Sequence, residues 1–446
     1  MSEAGLNRLE DVLKLARACG ADAADAVYGD GRSLSLAVRK GRLEKLERAE
    51  GAEIGLRVFL GRRAALVSTS DFSAASLKEL AERAVAMARV MPEDPFAGLA
   101  DPEQLMRGAL PECDLCDPAE ATEDALIAAA HAAEDAALAV AGVSNSEGAE
   151  ASVSRSEIAL AASNGFSRGY LSSHAALSVS VLAGGADGME RDYDSAVAVY
   201  RADLPAPESL GRAAGERAVA RLGARKAASA TLPVVFDPRV SRSLLSHFLG
   251  AVNGASVARG TTFLAEAMGG MVFAPGVSIV EDPHRVRGLR SRPCDAEGLP
   301  TARRALIDGG RLTSWLLDLR ASRQLGLPPT GHAARGIGSA PSPSAANVAL
   351  LPGAVSPAAM IGGIKRGLYV TELIGSGVNG VTGDYSRGAA GFLIENGEKT
   401  SPVNEVTIAG NLREMFARLV PADDWVYRYG IDAPTVCIDG MTLAGA

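Results

Sequence analysis

Few residues in this chain have both the type and the spacing that chemistry requires. Cys113 and Cys116 stand in a CxxC pair, the spacing of half a zinc site or a redox disulfide. No second pair exists and the surroundings are rich in proline, so two incidental thiols are expected. His131, Glu134 and Asp135 share a helical stretch; with no second histidine near, a solvated helix face is expected there. The run Gly184-Gly185-Ala186-Asp187-Gly188 lacks the following Lys-Ser/Thr of a phosphate loop and is expected to be a hairpin turn. The five histidines supply no HExxH pair, and there is no GxSxG nucleophile elbow, so neither a helical zinc centre nor a serine hydrolase is indicated. The densest signal is late. Between Gly375 and Gly388, five glycines (375, 377, 380, 383 and 388) alternate with Asn379, Asp384, Tyr385 and Arg387. The glycines permit close backbone approach and positive φ, and the polar tips are candidate substrate-binding groups. Such a segment is either a tight structural crossing or the wall of a binding chamber.

The elements that must hold these residues follow from periodicity. Leu9, Val12, Leu13 and Ala16 give an amphipathic first helix ending at Gly20. From Ala24 to Ser68 apolar and polar residues alternate, with Gly31, Gly41, Gly51 and Gly61 spaced like turns, which predicts a meander of about four strands. Asp71 is the expected cap of a helix over Ser73–Val90. The proline-broken stretch 91–118 is a connection. It leads to an Ala-rich helix (119–141), three or more strands (150–200) and a helix (205–222). Beyond 223, short apolar strands dominate, with one clear helix over Ser241–Leu249.

The fold class expected is therefore α+β, with an amino-terminal α/β part of antiparallel sheets flanked by long helices and a mainly β carboxy-terminal domain. The domains are expected at 1–225 (subdomains about 1–92 and 118–225, linker 93–117) and 226–446. A length of 446 residues with 47% hydrophobic and 22% charged residues allows a real core. The net charge of −8 gives no field that would draw in nucleic acid. The amino terminus does not read as a secretory signal. The Ala-rich stretch is interrupted by Glu123, Asp124, His131, Glu134 and Asp135, so no membrane span is expected. Five scattered cysteines suit a reducing, cytoplasmic setting.

Taken together, Gly55-Leu-Arg-Val-Phe59, Ser68-Thr-Ser-Asp71, Asp295-Ala-Glu-Gly-Leu-Pro-Thr301, Asn347, Leu351-Pro-Gly353, Gly367 through Gly397, Ser401-Pro-Val403 and Thr407-Ile-Ala-Gly-Asn411 resemble the TldD/PmbA metallopeptidase family, in its PmbA (TldE) branch. The resemblance implies a subunit of a heteromeric peptidase that degrades unfolded peptides and processes peptide antibiotics, with zinc held by an HExxxH helix and a later cysteine on a TldD-like partner. In this chain the matching helix reads Leu244-Leu-Ser-His-Phe-Leu-Gly-Ala251. The metal histidines fall on Ser246 and Ala251 and the general-base glutamate on His247, and Cys437 lies past the position of the late cysteine. No catalytic residue, metal or cofactor is expected in this chain; its expected partners are the TldD-like subunit and unfolded peptides, with self-association possible and no membrane or direct nucleic acid. The alternative implied is an independent regulator of the DNA gyrase modulator type. An altered site of His247 with Glu266 or His284 is the remaining reading.

Overall fold

The computed structural model describes residues 3–186 and 188–445. Its first half is one antiparallel sheet in the order β3-β2-β1-β4-β5-β6, built from β1 (Ala23–Arg39), β2 (Arg42–Leu60), β3 (Arg63–Thr69), β4 (Val143–Ala162), β5 (Ser167–Gly185) and β6 (Gly188–Ala198). Three strands, not four, fill 23–69. Gly41 and Gly61 take positive φ (68° and 56°) and turn the chain, whereas Gly31 and Gly51 lie opposite one another inside the β1–β2 ladder. A glycine in extended backbone simply continues a strand. Because β1 pairs with β4 from Asp25↔Ala162 to Val38↔Ala149, the two amino-terminal meanders join into a single sheet. The β5–β6 hairpin closes at Gly185↔Gly188; Asp187 lies outside the described residues.

Helices α1 (Glu3–Ala18), α2 (Ala74–Val90), α3 (Glu123–Leu138) and α4 (Pro207–Ala220) all cover one face of this sheet. Period-two alternation explains why. Along β1, Ala24, Ala26 and Tyr28 pack with Leu9 and Val12 of α1 and Leu80 and Ala84 of α2. Further along the same face, Leu34, Leu36 and Val38 pack with Ala130 and Ala133 of α3 and Ala214 of α4. The cap of α2 is Ser73, which accepts from Ser76 N, rather than Asp71; the Asp71 carboxylate accepts from Ser73 N (2.8 Å) one step earlier. Glu134 departs from the solvated face expected of it. It is fully buried and accepts from the backbone N–H of Lys40 (2.8 Å) and Gly41 (3.0 Å) and from Ser146 Oγ (2.5 Å), pinning the β1–β2 turn to α3. Cys113 is buried and free, and burial pushes its thiol up to about 11, away from reactivity.

The opposite face of the sheet meets the carboxy-terminal half. Val27, Leu160 and Phe166 pack there with Cys294 and Ile337, and Gly55 lets the Ile337 carbonyl approach so closely that an added Cβ would lie 1.8 Å from it. The second half holds a five-stranded sheet (279–282, 304–308, 311–312, 347–350, 431–432) and a barrel ordered 398–411, 384–395, 366–374, β7 (Ala230–Phe236), 436–444, which closes because 398–411 also pairs with 436–444. Helix α5 (Pro238–Ala251) follows β7 directly and buries Leu244, Leu245, Phe248 and Leu249 in the cluster that contains Val234, Leu368 and Ile408 of the barrel. Among the described residues no helix is long and apolar enough to cross a membrane.

Candidate functional site

Helix α5 starts where Asp237 caps it, accepting from Arg239 N (2.9 Å) and from the Tyr369 hydroxyl of the barrel (2.8 Å). The cap and the barrel thus share one carboxylate, which fixes the helix axis against the strands. Helical periodicity sets Ser246 about 100° round the helix from His247, whereas Ala251, one turn further on, follows His247 on nearly the same side. The Ser246 hydroxyl is exposed and donates back to Arg242 O (3.3 Å). The Ala251 methyl is buried in the core. His247 turns toward the barrel strand Asp384–Glu395, its ring edge-on to Tyr385 with centroids 6.0 Å apart.

Tyr385 and Arg387 stand two apart on that strand and so share a face. Together with His247 they form a cluster of unusual polarity. His247 Nε2, Tyr385 Oη and Arg387 Nε are all buried with no hydrogen-bond partner among the described residues, and the Arg387 guanidinium makes only a long contact to Leu373 O (3.5 Å). Burial, reinforced by the Arg387 charge, holds the His247 pKa below its ordinary value, so the imidazole is neutral near pH 7. Burial raises the Tyr385 pKa, keeping its hydroxyl a donor. Zinc does not fit these residues. A guanidinium sits beside the one imidazole, the Ser246 hydroxyl is turned onto its own helix, and Ala251 has no ligand atom.

The other candidates part company with this cluster. Asn379 Oδ1 accepts from Val381 N (2.9 Å) and Thr382 N (3.3 Å), which closes an Asx turn. Asp384 is held by Thr382 Oγ1 (2.6 Å) and Asn411 Nδ2 (3.1 Å), and these bonds keep its pKa low. Both are exposed but serve the loop itself. Of the five glycines in the segment, only Gly375 and Gly383 take positive φ (76° and 84°). An altered site of His247 with Glu266 or His284 is not formed. His284 Nε2 bonds Thr301 Oγ1 (2.8 Å), Glu266 is exposed, and no group of three His, Cys, Asp or Glu among the described residues is placed to hold a metal.

Sequence reasoning missed a groove of about 620 Å³ between β6 and the loops at 285–289 and 426–429. Its walls come from segments some 90 to 230 positions apart, and the only local hint was the Tyr427-Arg-Tyr429 run.

Comparison with known proteins places these features among relatives. Residues 24–88 match PmbA/TldA metallopeptidase domain 1, residues 116–222 its central domain and residues 229–445 its C-terminal domain. The chain is 37% identical to metalloprotease PmbA of Escherichia coli O157:H7, covering 95% of this chain and 92% of that one. It is 35% identical to a PmbA homolog of Haemophilus influenzae, covering 97% and 94%. A crystal structure from Bacteroides thetaiotaomicron described as a candidate modulator of DNA gyrase superimposes with a TM-score of 0.92 at 25% identity over all of both chains. TldE from Thermococcus kodakarensis shares the fold with a TM-score of 0.87 at 21% identity, covering 98% of this chain and 100% of that one.

Proposed function

The chain belongs to the PmbA/TldD metallopeptidase family, and from that premise we propose that it is the PmbA/TldE-like subunit of a two-component peptidase, contributing to substrate handling while a TldD-like subunit carries the zinc. The observation that carries this reading is the surface of α5. At the three positions that match the family's HExxxH helix, a serine bonds its own backbone, a neutral histidine faces a guanidinium, and an alanine fills the core. These groups cannot activate a metal-bound water. They can bind: the half-buried His247 and Arg387, backed by the buried Tyr385, make a positive, donor-rich cluster suited to a carbonyl or carboxylate. The substrates are unfolded peptides, the products include processed peptide antibiotics, and the setting is the cytoplasm.

The test is reconstitution. The purified chain alone should leave casein and unstructured peptides uncut and carry substoichiometric zinc, while a mixture with a TldD-like chain should cleave. Chelator-sensitive cleavage that co-purifies with this chain alone through several columns would overturn the proposal.

One observation favours a second reading, the resemblance to a structure described as a candidate gyrase modulator. On that reading the chain is an independent protein-binding regulator, and pull-down from extract should recover gyrase subunits in place of a TldD-like chain.

A further inference from the structure

We propose that the groove beside β6 binds an extended acidic peptide by strand addition; the proposal rests on the reading of the chain as a peptide-handling subunit and names the class of peptide. β6 is a free edge of the six-stranded sheet. Along it the backbone N–H of Tyr193 and of Ser195 each bond the carboxylate of the preceding residue, Asp192 (2.8 Å) and Asp194 (3.0 Å). Those two N–H groups therefore point away from β5, and by the two-residue alternation of a strand so do the N–H and C=O of Val197 and the C=O of Ser195. No described residue bonds these last three groups. They face the groove, which Ser195 to Val199 line on one side.

The facing wall is built for a chain rather than for bulk water. Arg285 lies over the Tyr427 ring (4.0 Å) and Arg242 of α5 over Tyr429 (4.2 Å). Val286 and Val426 leave more than half of their surface exposed at the rim. A strand laid along β6 would alternate its side chains between this aromatic wall and solvent. Charge selects among such strands. The carboxylates of the groove are already paired, Asp194 with Arg217 (3.0 Å) and Asp203 with Arg287 (3.2 Å). Arg285 and Arg428 have no carboxylate partner among the described residues, in a chain whose net charge is −8. The local positive excess attracts acidic segments and rejects basic ones.

Fluorescence polarisation on the isolated chain tests this, using a labelled eight-residue peptide alternating Glu and Val and a counterpart with Lys for each Glu. The acidic peptide should bind and the basic one should bind at least about ten-fold more weakly. Arg285→Ala with Arg428→Ala should weaken the acidic peptide about ten-fold. Val197→Pro should weaken it similarly, since proline removes one outward N–H yet is tolerated on an edge strand; Val197→Ala should not, and melting curves check that each variant folds. Absence of binding, equal binding of the two peptides, or binding unchanged in the arginine pair overturns the groove, and binding that survives in a folded Val197→Pro variant overturns strand addition. If the groove fails while the reconstituted complex cleaves, the subunit reading stands. If the peptide binds but no TldD-like complex forms, the subunit reading fails and the groove stands.

Discussion

At the scale of residues, the most informative groups are polar atoms buried without partners. A buried polar group with no hydrogen bond costs about 1–3 kcal/mol, so removing one need not harm the fold. His247→Leu is expected to leave the melting temperature unchanged or raise it by the equivalent of about 0–2 kcal/mol, as measured by thermal denaturation. A large drop would mean that Nε2 has a partner after all. In the reconstituted peptidase Arg387→Ala is expected to slow cleavage while leaving the melting temperature nearly unchanged, because among the described residues its guanidinium makes only the long contact to Leu373 O; an unchanged rate removes it from substrate binding. Glu297 makes a prediction in pH. Burial, aided by Asp295 and opposed by Arg57, pushes its pKa up to about 8. The folded state thus keeps this proton to higher pH than the unfolded chain does, so the group's contribution is full at low pH and is lost as pH rises from about 5 to 8. Glu297→Gln mimics the protonated form and should flatten that decline by about 2–4 kcal/mol, read from denaturant melts across the pH range.

At the scale of elements, helices α3 and α4 are held at a spacing that side chains would forbid. A Cβ added at Gly211 of α4 would lie 2.0 Å from the Ala133 carbonyl of α3. Alanine is the better helix former by about 1 kcal/mol, yet Gly211→Ala is expected to destabilise the protein by about 1–3 kcal/mol because the two backbones must separate. A gain in melting temperature would show that propensity outweighs the contact. The same reasoning makes Asp237 more than a helix cap. It joins α5 to Tyr369 of the barrel, so its loss affects how the helix is seated as well as where it begins.

At the scale of the whole molecule, the two halves meet through buried charge. Asp25 of β1 lies between Arg57 of β2 and Arg335 of the carboxy-terminal half (2.6 Å), and its pKa is held low by those guanidiniums against the opposing effect of burial. Arg335 is 1% exposed. Asp25→Asn leaves two buried guanidiniums without their shared counter-charge and is expected to cost about 3–5 kcal/mol, measured by chemical denaturation. A loss within about 1 kcal/mol would mean that water already solvates the two guanidiniums. A second contact, from Arg221 of the first half to Glu372 of the barrel (2.5 Å), suggests the same test at the other end of the junction.

The alternation of the amino-terminal strands, the four long helices, the α+β class and the position of the helix that became α5 were legible in the sequence, because each is written in contacts within a few residues. The sequence also carried the family in its scattered motifs. Only tertiary structure decided that Gly31 and Gly51 continue strands while Gly41 and Gly61 turn, since glycine permits both and the partner strand chooses. Tertiary structure likewise decided that Glu134 is buried, a fate set by the backbone N–H groups of a hairpin 93 and 94 positions away. It gathered His247 with Tyr385 and Arg387 and left Asn379 and Asp384 to close their own turn, a division that residue types alone could not make. Such groupings depend on which strand faces come together when the barrel closes and the sheet folds against it. Those are long-range pairings whose energies appear only once the whole chain is in place.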